Sequence, residues 1–167
     1  MPYPIELKFP YTFRDRYFAE FQMIFESKLK MIIHSVFPLI GVGLLVFALQ
    51  SNKTFPTSFW LAIIVAFLFL PGILLVVLGT NFLTNKAMRE PFTYLFDEKG
   101  VHVHAASYEY IHKWPAFTKV KPTKRYLLFF LGPGSAHCIP MRAVEAEGVL
   151  SSLLELAKSQ GVAVIAR

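Results

Sequence analysis

Apolar and polar positions alternate at the start of the chain: Ile5, Leu7, Phe9, Tyr11 and Phe13 against Glu6, Lys8, Pro10, Thr12 and Arg14. A period of two predicts a strand with one buried face, and Pro10, having no N–H to donate, assigns it to a sheet edge. From Thr12 the period lengthens. Thr12 and Asp15 are spaced as a helix start, and Phe18, Phe21, Phe25 and Leu29 recur at helical intervals. The amphipathic helix they predict has two readings. It lies along a membrane surface, or it extends the apolar helix that follows, with Lys28 and Lys30 reaching to the headgroups. Then the polar positions disappear: residues 31–50 and 59–79 carry no charge. A bilayer core about 30 Å thick needs about 20 residues at helical rise. The two windows therefore predict a transmembrane hairpin, turned through the short connection at 50–58.

Beyond a linker at 80–91 the pattern breaks into short strands. Phe92, Tyr94 and Phe96 alternate, Asp97-Glu98-Lys99-Gly100 is a turn, and 101–105 alternates again. A tight turn at Ala106-Ser107 leads to 108–114, and a strand at 117–121 closes on Pro122-Thr123-Lys124. The run 126–131 is apolar on both faces, as a central strand is. Gly132-Pro133-Gly134 turns the chain into His137-Cys138-Ile139. Residues 142–159 predict one helix, with Val144, Leu150, Leu153, Leu154 and Ala157 on a common face and Gly161 as its stop. The chain thus divides into an N-terminal strand and helix (1–30), the hairpin (31–79), the linker, a meander with its helix (92–160), and a tail (161–167).

Composition agrees with this division. The chain is 54% hydrophobic and 17% charged, against roughly 25% charged in average soluble domains. Such a chain is not disordered, and the single cysteine, Cys138, excludes a disulfide scaffold. The net charge of +6 is unevenly placed. Lys8, Arg14, Arg16, Lys28 and Lys30 precede the first window, Lys86 and Arg89 follow the second, and the loop between holds only Lys53. That asymmetry places both termini in the cytoplasm, where Cys138 stays a reduced thiol. A cleavable signal peptide is not expected, because the first apolar run begins about thirty residues in and is too long for an h-region.

The run Leu95-Phe96-Asp97-Glu98-Lys99-Gly100-Val101, then Ile111-His112-Lys113-Trp114, Tyr126-Leu127-Leu128-Phe129 and Cys138-Ile139-Pro140-Met141-Arg142-Ala143 resembles the C-terminal domain of YcxB-like bacterial membrane proteins. The likeness covers about 92–159, and the opening Tyr11-Thr12 with Tyr17 is also similar. Pro115, directly after Trp114, departs from the family's pattern, in which that strand more often continues through polar residues. The resemblance implies an α+β membrane protein, a two-helix transmembrane hairpin joined to a small antiparallel, pleckstrin-homology-like β-sheet with a C-terminal helix. It further implies a bacterial cytoplasmic (inner) membrane location, multi-pass. It implies no activity.

Candidate chemistry is sparse. His102 and His104 leave one strand face, and a two-residue turn at Ala106-Ser107 sets His104 opposite Glu109, a face that suits either a divalent metal or simple solvation. His112 falls on the other face. His34, one turn into the first window, reads as an interfacial anchor or a helix–helix hydrogen bond. Pro38 and Pro71 lie at matching depths near Gly41, Gly43 and Gly72, an arrangement for close helix packing or for self-association. Lys119, Lys121, Lys124 and Arg125 form the densest basic patch, suited to anionic lipid headgroups, to a protein partner, or to a solvated hairpin edge. No recognition helix or stacking motif accompanies it, so nucleic acid is not expected.

His137 and Cys138 are neighbours on a strand and point to opposite faces, which leaves the thiol inert. Without a nucleophile motif, a phosphate-cradling loop or paired carboxylates, the chain reads as a non-enzyme with no cofactor and no metal. The expectation is an integral membrane protein presenting a cytoplasmic binding or scaffolding module. A subunit of a small oligomeric transporter or channel, assembled through the hairpin, is the alternative.

Overall fold

The computed structural model describes residues 4–26, 28–51 and 54–165, without the side chains at 29, 30, 33, 34, 37, 67, 70 and 71. Strand β1 (Ile5–Pro10) leads into α1 (Phe13–Glu26), and two long helices follow, α2 (Lys28–Gln50) and α3 (Thr57–Thr84). After a 3-10 turn come β2 (Pro91–Phe96), β3 (Gly100–His104), β4 (Glu109–Lys113), β5 (Lys119–Pro122), β6 (Tyr126–Gly132) and β7 (Ser135–Pro140). The chain ends with α4 (Met141–Ala146), α5 (Leu150–Ser159) and the short β8 (Ala163–Val164).

The strands form two four-stranded sheets, ordered β1-β2-β3-β4 and β7-β6-β5-β8. The first is antiparallel throughout, and in the second only the β5–β8 pair is parallel. The core lies between them. Leu7, Phe96, Val101 and Val103 from one sheet join Val120, Leu127, Phe129 and Ile139 from the other, and Leu153 and Leu156 of α5 complete the cluster. Strand β6 is apolar on both faces for a visible reason. Leu127 and Phe129 enter that core, whereas Tyr126, Leu128 and Phe130 are buried against Ala19 and Met23 of α1.

Helix α1 is fixed at its start by a capping box. Asp15 N–H donates to Thr12 Oγ1 at 3.1 Å, and Thr12 N–H donates to Asp15 Oδ2 at 2.9 Å. The Tyr126 hydroxyl donates to Asp15 O at 2.9 Å, and the Tyr11 hydroxyl donates to Cys138 O, so the second sheet holds the helix from below. Trp114 Nε1 donates to Asp97 O at 2.8 Å and closes the β2–β3 turn.

Several expectations are corrected. The apolar windows form α2 and α3, 23 and 28 residues long, and a bilayer crossing needs a helix sufficiently apolar over about 20 residues. Among the described residues no helix is long and apolar enough to cross a membrane. This overturns the transmembrane hairpin, and with it the integral-membrane function, the multi-pass topology and the inner-membrane location. Both helices do expose apolar side chains, among them Leu39, Leu49 and Val76. The single meander is replaced by two sheets, because the chain breaks at the 3-10 turn Trp114–Ala116 and β5 does not pair with β4, while β1, 80 residues upstream, joins the first sheet by pairing with β2 from Ile5↔Phe96 to Pro10↔Pro91. The predicted helix at 142–159 is two helices, divided where Gly148 adopts φ +63°. Residues 163–164, read as tail, add a strand beside β5. The side chains of His34 and Pro71, and Lys53 altogether, lie outside the described residues.

Candidate anion-binding groove

The start of α1, the β5–β6 turn and the β7–α4 junction converge on a groove of about 560 Å³. Four cations line it, Arg14, Lys124, Arg125 and Arg142, against two carboxylates, Asp15 and Glu145. Arg142 Nη1 lies 2.6 Å from Asp15 Oδ1, and its Nη2 donates to Pro10 O at 3.1 Å. The other three cations have no carboxylate partner among the described residues. Arg125 sits over the Phe18 ring with its guanidinium carbon 4.3 Å from the centroid, and Arg14 approaches the same ring at 5.7 Å. Stacking on an aromatic face orients a guanidinium while leaving its N–H groups for an anion.

Asp15 is half-enclosed by these contacts. Burial pulls its pKa upward, but the hydrogen bonds from Arg142 and Thr12 outweigh that and hold it below the ordinary carboxylate value. A carboxylate lowered in the folded state contributes stability that is complete above its unfolded pKa and is lost as pH falls through the folded one. Replacing Arg142 with Met is therefore expected to flatten the acid limb of the stability profile, read as the denaturant midpoint against pH.

The basic patch anticipated on β5 and its turn divides into two ends. Lys124 and Arg125 reach the groove. Lys121 instead pairs with Glu26 at the end of α1, 2.7 Å away, and Lys119 covers the Phe130 ring at 4.4 Å. Arg14 and Arg142 replace them in the groove. Neither is marked by spacing, since 17 or more residues and a sheet crossing separate each from Lys124. The conspicuous local signal was the Thr12–Asp15 box, which is the part of the sequence that positions Arg14.

The histidine face takes the expected register, His104↔Glu109 and His102↔Ile111. His104 Nδ1 lies 3.4 Å from Glu109 Oε1, but His102 turns to Asp97, 3.0 Å away, so the two rings have separate carboxylate partners. No group of three metal-ligating side chains occurs among the described residues. Cys138 and His137 diverge across β7. Burial, with a contribution from Glu20, pushes the Cys138 thiol up to about 12, and burial, then His112, pulls His137 down to about 4. At neutral pH they are a thiol and a neutral imidazole, without nucleophilic or acidic character.

Fold and groove together describe a two-sheet α+β module with an anion-attracting surface. Residues 96–157, from the end of β2 into α5, match the family model described as YcxB-like protein. No curated protein matches the chain, and no solved structure does.

Proposed function

We propose that the chain is a non-catalytic binding module whose ligand presents phosphate to the groove. The observation carrying this reading is the trio Arg14, Lys124 and Arg125, gathered on one groove with no carboxylate partner among the described residues and two of them oriented on Phe18. Phosphate suits guanidinium groups because it accepts paired, charge-assisted hydrogen bonds. The architecture supports a binding module: β1 to β4 make one sheet, β5 to β7 lie in the second, and α5 covers the core between them. The raised thiol and depressed imidazole at Cys138 and His137 support a role without chemistry at that pair.

The test uses the full chain and two phosphate sources. Calorimetric titration with pyrophosphate is expected to show binding that weakens with salt, as exposed charges require. The double substitution Arg14→Gln with Arg125→Gln is expected to weaken it on the order of tenfold. Co-sedimentation with phosphatidylcholine vesicles, with and without phosphatidylglycerol, separates the sources. A gain with phosphatidylglycerol that the double variant loses identifies a headgroup, whereas pyrophosphate binding alone identifies a soluble ligand. Unchanged affinity of the double variant in both arms rejects the groove.

A further inference from the structure

A second feature is separate from the groove: a cleft of about 340 Å³ between α1, the β2–β4 side of the first sheet, and β7. Its walls are aromatic. Tyr108 and Tyr110 stack with centroids 5.9 Å apart, Tyr110 continues to the His137 ring at 6.0 Å, and Phe92 meets Tyr108 at 5.8 Å. A wall built this way offers apolar surface against which a flat ring packs, and the volume is at the small end of ligand sites, which start at about 300 Å³.

Two polar side chains line the cleft with atoms left over. Arg16 extends from α1 with its guanidinium carbon 4.8 Å from the Tyr11 centroid and 5.3 Å from that of Phe92. Its Nε is buried and has no hydrogen-bond partner among the described residues. His137 is 9% exposed, and its Nδ1 lies 3.3 Å from the Tyr94 hydroxyl. Its Nε2 is likewise buried and has no hydrogen-bond partner among the described residues. With Tyr94 as the donor to Nδ1, Nε2 carries the ring's own proton. In that tautomer both leftover atoms are N–H donors, and buried donors without acceptors are rare in native proteins because they are costly.

The charge in the cleft is small. Burial, then His112, keeps the imidazole neutral, which leaves Arg16 as the cation and Glu20 as an exposed carboxylate among the lining residues. One cation with a carboxylate nearby favours a monoanion over a phosphorylated polyanion. We infer that this cleft binds a small planar aromatic monocarboxylate, its ring packed against the tyrosine rings and its carboxylate on Arg16 and His137.

The experiment titrates the full chain with 2-naphthoate, and with 2-naphthalenemethanol as the uncharged counterpart. The carboxylate is expected to bind about tenfold or more tightly than the alcohol. Arg16→Met is expected to weaken naphthoate by about tenfold while changing the alcohol little. Because Arg16 also covers two aromatic rings, Glu20→Gln serves as a second, exposed variant, and it is expected to tighten naphthoate. Absence of naphthoate binding, equal affinity for acid and alcohol, or indifference to both substitutions overturns the inference. The Arg14→Gln/Arg125→Gln variant is expected to bind naphthoate normally, and a loss there would place the ligand in the groove instead and overturn it too.

Discussion

Gly100→Ala is expected to be among the most damaging single substitutions in this chain. Gly100 opens β3 and pairs with Lys113 across the sheet, and a Cβ placed on it would press into the His112 carbonyl oxygen and Lys113 Cα. Those are backbone atoms of a strand fixed by its own ladder, so neither can move aside as a flexible side-chain tip would. The same residue closes the β2–β3 turn, where Gly100 N–H donates to Asp97 Oδ1 at 3.0 Å and Asp97 N–H donates to Gly100 O at 3.1 Å. Forcing the strands apart there costs about 3 kcal/mol or more. For a chain of this size that lowers the melting temperature by roughly 6–12 °C. Gly132→Ala is the control, since nothing lies within 4 Å of the added carbon, and it is expected to shift the midpoint by less than about 0.5 kcal/mol. Equal melting temperatures for the two variants would remove close approach as the reason for Gly100.

Phe129→Ala is expected to cost about 3–5 kcal/mol, the range for deleting a fully buried ring. Phe129 is 0% exposed at the centre of β6, with its ring 5.4 Å from Phe96 of the opposite sheet and 5.7 Å from Phe117. It therefore couples the two sheets rather than filling space within one. The expected signature is a lower denaturant midpoint with an unchanged slope, since the surface exposed on unfolding is nearly the same. Phe129→Leu, which keeps most of the volume, is expected to recover the larger part of the loss. A Phe129→Ala midpoint close to that of the unsubstituted chain would mean that the sheets are held together elsewhere.

Both effects concern contacts that were only partly legible in the sequence. The period-two stretches at Ile5 to Phe9 and Phe92 to Phe96 were readable as strands, because burial on one face leaves an alternating trace. That the two strands pair with each other was not readable. Pairing is decided by which edges meet after folding, and α1, α2 and α3 lie between β1 and β2 in the chain. Likewise the two-faced run 126–131 announced a central strand, but not that one face would meet α1. The division of the C-terminal helix at Gly148 was missed, although glycine is the residue that tolerates its φ of +63°.

The groove follows the same logic. Lys124 and Arg125 stood out because they are adjacent, and the Thr12–Asp15 box fixed where α1 begins. Local chemistry of this kind is complete within a few residues and is therefore legible in the sequence, along with the alternating strands, the turn at Asp97–Gly100 and the register that sets His104 opposite Glu109. Only the tertiary structure brought Arg14 and Arg142 beside Lys124, sent Lys121 to Glu26 instead, and enclosed His137 with Arg16 in one cleft. It also decided that the apolar windows, among the described residues, make no helix able to cross a membrane. The physical reason is common to all of these. A residue's own conformational preference acts over one or two turns of chain, whereas charge pairing, desolvation and ring contact depend on distance in space.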